Sequence, residues 1–279
     1  MRATPLHHVT DIVDIFVWVC EVVPDGAKPR GGRPNLLRDS ELLTLVIWNA
    51  VTEMFSPTLV HLFRWIRDYH LGRGRSVLHL PHYKGFVAQV HRITDKLQRL
   101  LDAVLRSAAA LRFVDSTMLE VCRLVRAGRH HVARGTAAFG RNHQGWHYGF
   151  KLHASCTANG QLCAVRFTAA NEADVLQLRY LVNTTTNVVV GDGGYTAGVT
   201  RRHLWRDCRC LVVSPPRPRQ RWTMASWQLT LLRQRVRIEC VFDYLKTHMH
   251  LVSSFPRSVH GYAVHYLRIL LGYQMRMGF

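Results

Sequence analysis

Acidic residues are the scarce class in this chain, with 18 Asp and Glu against 37 Lys and Arg, which gives a formal net charge of +19. An imbalance of that size points to a polyanionic partner, either a nucleic acid or an acidic membrane surface. The shortage is uneven. Residues 1–110 hold 14 basic against 10 acidic side chains, whereas 111–279 hold 23 against 8. No Asp or Glu occurs from Val121 to Asn171 or from Arg209 to Ile238. A high genomic GC content exchanges lysine for arginine but does not remove acids, so each carboxylate that survives in the second region asks for a purpose.

Long apolar runs are missing as well. No stretch approaches the roughly 20 residues needed to cross a bilayer, so no membrane segment is expected. The opening run MRATPLHHVTDIVDIF carries Asp11 and Asp14 where an export signal would be apolar, which predicts a cytoplasmic protein. Seven cysteines, an odd number, argue for reduced thiols rather than a disulfide framework. Cys208 with Cys210, and His248 with His250, do not have the spacing of a zinc knuckle. At 279 residues and 48% hydrophobic, the chain can bury one sizeable core and a smaller companion.

Periodicity divides the chain near residue 110. Before it the pattern is helical: apolar residues recur at three- and four-residue intervals from Val9 to Val22, a Pro/Gly/Arg loop (PDGAKPRGGRPN) follows, and Asp39 stands as the expected N-cap of SELLTLVIWNAV. Ser56-Pro57 marks the expected start of TLVHLFRWIRDYH. Two helices joined by so short a turn are either a packing unit or a helix-turn-helix that reads DNA. A long helix is predicted from His82 to Leu111, with Leu97, Leu100, Leu101, Val104 and Leu105 on its buried face.

After Leu111 the pattern becomes that of strands. RFVDST reads as a first strand, and HYGFKLHASCTA and QLCAVRFTA as two more, joined by Asn159-Gly160 in a hairpin. EADVLQLRYLV is helical, NVVVGD a buried strand, TAGVTRRHLWRD helical, CRCLVVSP another buried strand, and TMASWQLTLLRQRVRIECVFDYLKTHM one long helix. The order β-β-β-α-β-α-β-α fits an α/β fold with an RNase H-like mixed sheet and flanking helices, preceded by a smaller all-α domain. A doubly wound sheet also accommodates the alternating half.

Three carboxylates fall at informative places in that order. Asp115 is expected at the end of the first strand, Asp192 at the end of the fourth, and Glu239 within the last helix. Sites in open α/β sheets form beyond the carboxyl ends of strands. Three acids gathered there repel one another unless hard cations stand between them, and Mg²⁺ takes oxygen ligands. Plainer roles are open for each residue: Asp115 before Ser116-Thr117 and Asp192 before Gly193-Gly194 can serve as turn residues, and Glu239 can pair with Arg235 one helical turn earlier.

Taken with their contexts, FVDST, HYGFKLH, the hairpin through FTAANEADV, VVVGDGGY and RVRIECVFDYLKTH resemble the DDE transposases of bacterial insertion sequences, in the group that includes insertion-sequence family four, with family nine-eight-two the nearest suggestion. That group carries a helix signature of Tyr, two residues, Arg, three residues, Glu, six residues, Lys. The chain is similar at Arg235, Glu239 and Lys246 and departs at the first position, where Leu232 replaces Tyr. The resemblance covers roughly 110–279.

It implies a DNA transposase that cleaves transposon ends and joins their 3′-hydroxyls to target DNA by two-metal phosphoryl transfer. Asp115, Asp192 and Glu239 are then the catalytic and metal-binding residues for two Mg²⁺, with Mn²⁺ as a substitute. Arg235 and Lys246 are expected on phosphates of the transposon end, and Arg129, Arg134 and Arg141 of the basic loop GRHHVARGTAAFGRNHQGWH, with Lys151, along the DNA groove. Trp222 and Trp227 are candidates for stacking on an unpaired base or for core packing. Implied partners are double-stranded DNA, as transposon end and target, and a second copy of the chain on DNA, with a nucleoid-associated location. The expected domains are a helical one at 1–110, a candidate for DNA-end binding or only a packing unit, and the RNase H-like catalytic domain at 111–279. Alternatives that share these features are an inactive DNA-binding derivative and an RNase H-like nuclease. If the basic residues of 111–279 track a phosphate backbone, affinity for non-specific duplex falls on the order of 10³-fold between 50 and 200 mM salt for about six phosphate contacts. Titrations at several salt concentrations check this, and a flat response contradicts it.

Overall fold

The computed structural model describes residues 11–25, 36–52, 58–68, 80–216 and 223–278. By its contacts the chain divides into two compact units: Met1–Val104 with Thr247–Leu251 and Phe255–Phe279, and Leu105–Lys246 with Val252–Ser254.

The first unit contains α1 (Ile12–Val22), α2 (Asp39–Thr52), α3 (Leu59–Ile66), α4 (Tyr83–Arg92) and α5 (Thr94–Val104). Local chemistry sets their ends. Asp11 caps α1 by accepting from Val13 N–H at 2.7 Å. Asp39, expected as an N-cap, is instead the first helical residue of α2, and Asp25 from the preceding turn accepts from Ser40 N–H at 3.0 Å and from its hydroxyl at 2.8 Å. Thr58 is the N-cap of α3; the cap expected at Ser56-Pro57, the turn after α2 and most of the Pro/Gly/Arg loop lie outside the described residues. The single helix expected from His82 to Leu111 is two, because the chain breaks at Ile93, where the Thr94 hydroxyl donates to His91 O at 2.7 Å. Leu97, Leu100, Leu101 and Val104 are buried on α5 as expected.

A long final helix, α10 (Val259–Met277), was not anticipated in the sequence and clusters with this unit, where it packs on α2 and α5. Gly272 allows the close approach, since a Cβ there would lie 2.9 Å from Ala50 Cβ. The buried Arg268 donates from Nη1 to Asn49 Oδ1 at 2.8 Å across the same packed face.

The second unit is built on a six-stranded mixed sheet: β1 (Leu111–Glu120), β2 (Ala138–Asn142), β3 (Gly145–Cys156), β4 (Leu162–Ala169), β5 (Val188–Val190) and β6 (Leu211–Val213). The order is β2-β3-β1-β5-β6, with β4 also on β3. β1, β2 and β4 run antiparallel to β3, and β5 and β6 run parallel to β1. Gly160 turns the β3–β4 hairpin with φ +86°, as Asn159-Gly160 predicts. β2 was read in the sequence as part of a basic loop; the structure pairs Ala138–Asn142 with Gly145–Gly149, and only a 3₁₀ turn, Leu124–Arg129, and the residues around it remain irregular.

The helices α6 (Asp174–Leu181) and α7 (Gly198–Cys208) complete the parallel half. They close one face of the sheet with a core of Val114, Val189 and Val212 against Leu178, Leu181 and Leu204. The last predicted helix is also two, α8 (Ser226–Gln234) and α9 (Val236–Thr247), hinged at Arg235. This is a mixed α/β sheet with flanking helices, compatible with an RNase H-like arrangement.

One glycine reports how tightly the antiparallel strands meet. A Cβ on Gly149 would lie 2.1 Å from Leu119 O, whereas one on Gly128 meets nothing within 4 Å. Gly149→Ala is therefore expected to destabilise the chain by roughly 1–3 kcal/mol, in the range of overpacked sites, with Gly128→Ala near neutral. Chemical denaturation of both variants checks the contrast, and equal midpoints refute it.

Candidate active site

The site starts from strand register. In the parallel pair of β1 and β5, Phe113 lies opposite Val190. Two residues beyond each of these stand Asp115 and Asp192. Neighbouring strands are about 4.8 Å apart, so the two carboxylates leave adjacent strands at the same level. Asp115 is not at a strand end, as the sequence led us to expect, but in the middle of β1, because pairing with β3 carries that strand on to Glu120. Relative to the parallel ladder it is nonetheless just past the end.

β5 ends at Val190. Gly191 follows where a Cβ would lie 2.6 Å from the Tyr195 ring, and the chain then turns through a 3₁₀ segment, Gly193–Tyr195. Asp192 caps this turn by accepting from Gly194 N–H at 2.9 Å and stays exposed. It thus has the turn role weighed in the sequence as well as a place beside Asp115.

Glu239 comes from the first turn of α9. The break at Arg235 brings that guanidinium to both acids: Nη1 donates to Asp115 Oδ2 at 2.9 Å, and Nη2 donates to Glu239 Oε1. The helical pair Arg235–Glu239 therefore exists, as the plainer sequence reading allowed, but the same cation also holds an aspartate 120 positions away. Asp115 and Arg235 are each 22% exposed and Glu239 48%. Among the described residues no three His, Cys, Asp or Glu side chains converge as a metal cage; Asp115 and Glu239 converge on the guanidinium.

Burial is the main reason the Asp115 carboxyl is pushed up to about 6, and the Asp192 charge adds to it. The Ser116 N–H, which donates to Asp115 Oδ1 at 2.8 Å, and Arg235 oppose that rise. Tyr195, below the Asp115–Asp192 pair, is buried, and its hydroxyl has no hydrogen-bond partner. Burial first, then the charges of Asp174, Asp115 and Asp192, hold that phenol well above its usual range. Sequence reasoning passed over Tyr195, although it stands three positions after Asp192 in the GDGGY run.

The basic residues singled out in the sequence separate into classes. Arg129, Arg134 and Arg141 are exposed. Lys246 is half-buried; burial lowers its pKa, and the nearby Glu120 and Asp243 oppose that. Lys151 is buried, and its ammonium donates to Glu172 O at 2.8 Å and Asp174 Oδ1 at 3.0 Å. Trp227 is 48% exposed on α8 rather than in the core, and Trp222 lies outside the described residues.

The raised Asp115 pKa has a defined consequence for the metal-free chain. A carboxyl whose folded pKa lies above its unfolded value favours folding fully below about pH 4, and that contribution is lost as pH rises through about 6. Asp115→Asn removes the loss, so at pH 7 the variant is expected to be more stable than the parent by about 1–3 kcal/mol, with the difference vanishing near pH 4. Denaturation in chelator across that window checks it; a pH-independent difference contradicts the assignment.

Comparison with known proteins bears on this geometry. The model of the transposase DDE domain matches residues 106–259, more than half of the chain and all three acids. Neither the comparison with curated proteins nor that with solved structures gave a match. The catalytic-type unit, with its paired aspartates and helical glutamate, falls inside the matched span, and the chain belongs to the transposase DDE domain family.

Proposed function

We propose that the chain is a DNA transposase with an RNase H-like catalytic unit, in which Asp115, Asp192 and Glu239 form the reacting centre that cleaves transposon ends and joins their 3′-hydroxyls to target DNA. The observation that carries this reading is the single guanidinium held by Asp115 of a strand and Glu239 of a helix, with Asp192 just past the end of β5 and close enough for its charge to act on Asp115. Acids so far apart in a basic chain gather where positive charge is to be bound.

The residues fit divalent metal. Their donors are hard carboxylate oxygens, and Arg235 already places a cation between two of them. Asp115, Asp192 and Glu239 are the groups that would hold Mg²⁺ or Mn²⁺, which when bound activates the attacking oxygen and stabilises the leaving one. Arg235, released from its carboxylates, is placed to contact a phosphate beside the centre. The backbone N–H groups of Ser116 and Gly194, which donate to Asp115 and Asp192, hold those carboxylates in orientation.

Arg129, Arg134 and Arg141 offer exposed charge to duplex phosphates, with Lys246 on the same helix as Glu239. Lys151 is left out of this set, because its ammonium binds Asp174 on the closed face of the sheet. The reaction needs two ends held together, so two copies on DNA are the expected working form. The helices of residues 1–110 are assigned to recognition of the transposon end.

Glu239→Gln tests the centre with least disturbance, since volume is kept and the anionic oxygen is lost. The variant is expected to fold and bind DNA but to lose cleavage and joining in Mg²⁺ by at least about a hundredfold, the order lost when a group acting on the reacting charge is removed. Asp115→Asn and Asp192→Asn should behave alike, and pairs of these changes should add little. An integration assay with a tagged end separates joining from simple nuclease action. If Glu239 only pairs with Arg235, the change costs about 1 kcal/mol or less and leaves joining near normal, which overturns the reading.

A further inference from the structure

Strand alternation gives each side chain of the sheet a definite face. On β3, Trp146 and Tyr148 share parity with Ala154, the residue opposite Asp115. Their cross-strand partners on β2 are Arg141 and Phe139. These four residues therefore stand on the face that carries Asp115, farther along β3. The separation from Ala154 to Trp146 is roughly 27 Å at about 3.4 Å per residue.

Three of the four are open to solvent. Trp146 is 56% and Phe139 51% exposed. The exposed Arg141 guanidinium lies 5.9 Å from the centre of the Trp146 ring, and Phe139 packs on Tyr148 at 4.9 Å. Tyr148 is buried and holds Phe139 in place from below. Two large rings exposed on the paired strands β2 and β3, with an arginine over one of them, are costly in water unless something covers them.

Charge and shape together select the occupant. The segment from Val121 to Asn171 has no acid, and Arg129 and Arg134 are exposed nearby in sequence, so the partner is polyanionic. The rings require flat apolar faces. Nucleobases have such faces, but in a duplex they are already stacked on one another. A strand with unpaired bases presents both the phosphates and the free faces.

We propose that Phe139, Arg141 and Trp146 form a stacking platform for an unpaired DNA base, on the same sheet face as Asp115 and roughly 27 Å from it along β3. This inference rests on DNA being the partner of that face. It adds a site for single-stranded or locally opened DNA, distinct from the centre where strands are cut.

The test uses the full chain with oligo(dT) of about 16 nucleotides and a duplex of equal length. Trp146→Ala and Phe139→Ala are each expected to weaken oligo(dT) binding about tenfold while changing duplex binding less than about twofold, and Trp146→Phe to keep most of the affinity. An oligonucleotide with abasic sites at unchanged phosphate number should bind the parent chain about tenfold more weakly and be insensitive to Trp146→Ala. That second measurement decides the matter without any variant of the hairpin having to fold. Equal losses on single strand and duplex, or no loss on either, overturn the platform while salt-dependent duplex binding still supports the DNA reading. Failure of the parent chain to bind any DNA overturns both.

Discussion

The parallel register of β1 and β5 is the constraint on which the second unit depends. Phe113 opposite Val190 puts Asp115 and Asp192 side by side, and the same ladder sets where the chain must leave the sheet toward α7. β5 is only three residues long, so its position rests on buried valines packed against α6 and α7 rather than on many hydrogen bonds. Slipping one residue would turn Asp115 into the face where Val114 now packs, and an unpaired carboxylate in that apolar core would cost several kcal/mol. The hydrophobic core and the acidic centre are thus specified by one alignment.

Arg235 solves the next problem, which is charge. Asp115 is largely enclosed and lies near Asp192, so burial and repulsion both favour its neutral form. A guanidinium has a forked set of donors that can hold two carboxylates at once, where an ammonium offers only a point charge. The hinge between α8 and α9 falls at Arg235 itself, which turns its side chain toward β1 while leaving Glu239 one turn away. Arg235 therefore balances Asp115 and Glu239, and in the proposed function a divalent cation would take over the same oxygens. In a continuous helix, the relation between Arg235 and Glu239 would be only that of a surface ion pair.

Much of this was legible in the sequence where local chemistry dominates. The β3–β4 hairpin follows from Asn159-Gly160, the buried strands from VVV and LVV, and the candidate acids from their isolation in a basic chain. Breaks within helices were not legible: Ile93 and Arg235 both sit in sequences with good helical periodicity, and tertiary contacts decide where the chain bends. β2 was hidden because AFGRN is short and rich in small and polar residues, and only its partner WHYG makes it a strand. The grouping of α10 with the amino-terminal helices depends on Gly272 meeting Ala50, a contact between residues that no local pattern connects.

Parity along the strands also explains which basic residues face DNA in the proposed function. Lys151 and His153 point to the face closed by α6, where Asp174 accepts from Lys151 and burial holds the His153 imidazole down to about 4. Lys151 is thus occupied by Asp174 and Glu172 inside the fold. Arg141, paired across from Trp146, belongs by alternation to the face of Asp115 and stays exposed. Composition alone counts both cations as affinity for phosphate. The sheet divides them, Lys151 locking the helix layer and Arg141 staying exposed, so in the proposed function not every cation in the composition counts toward affinity for phosphate.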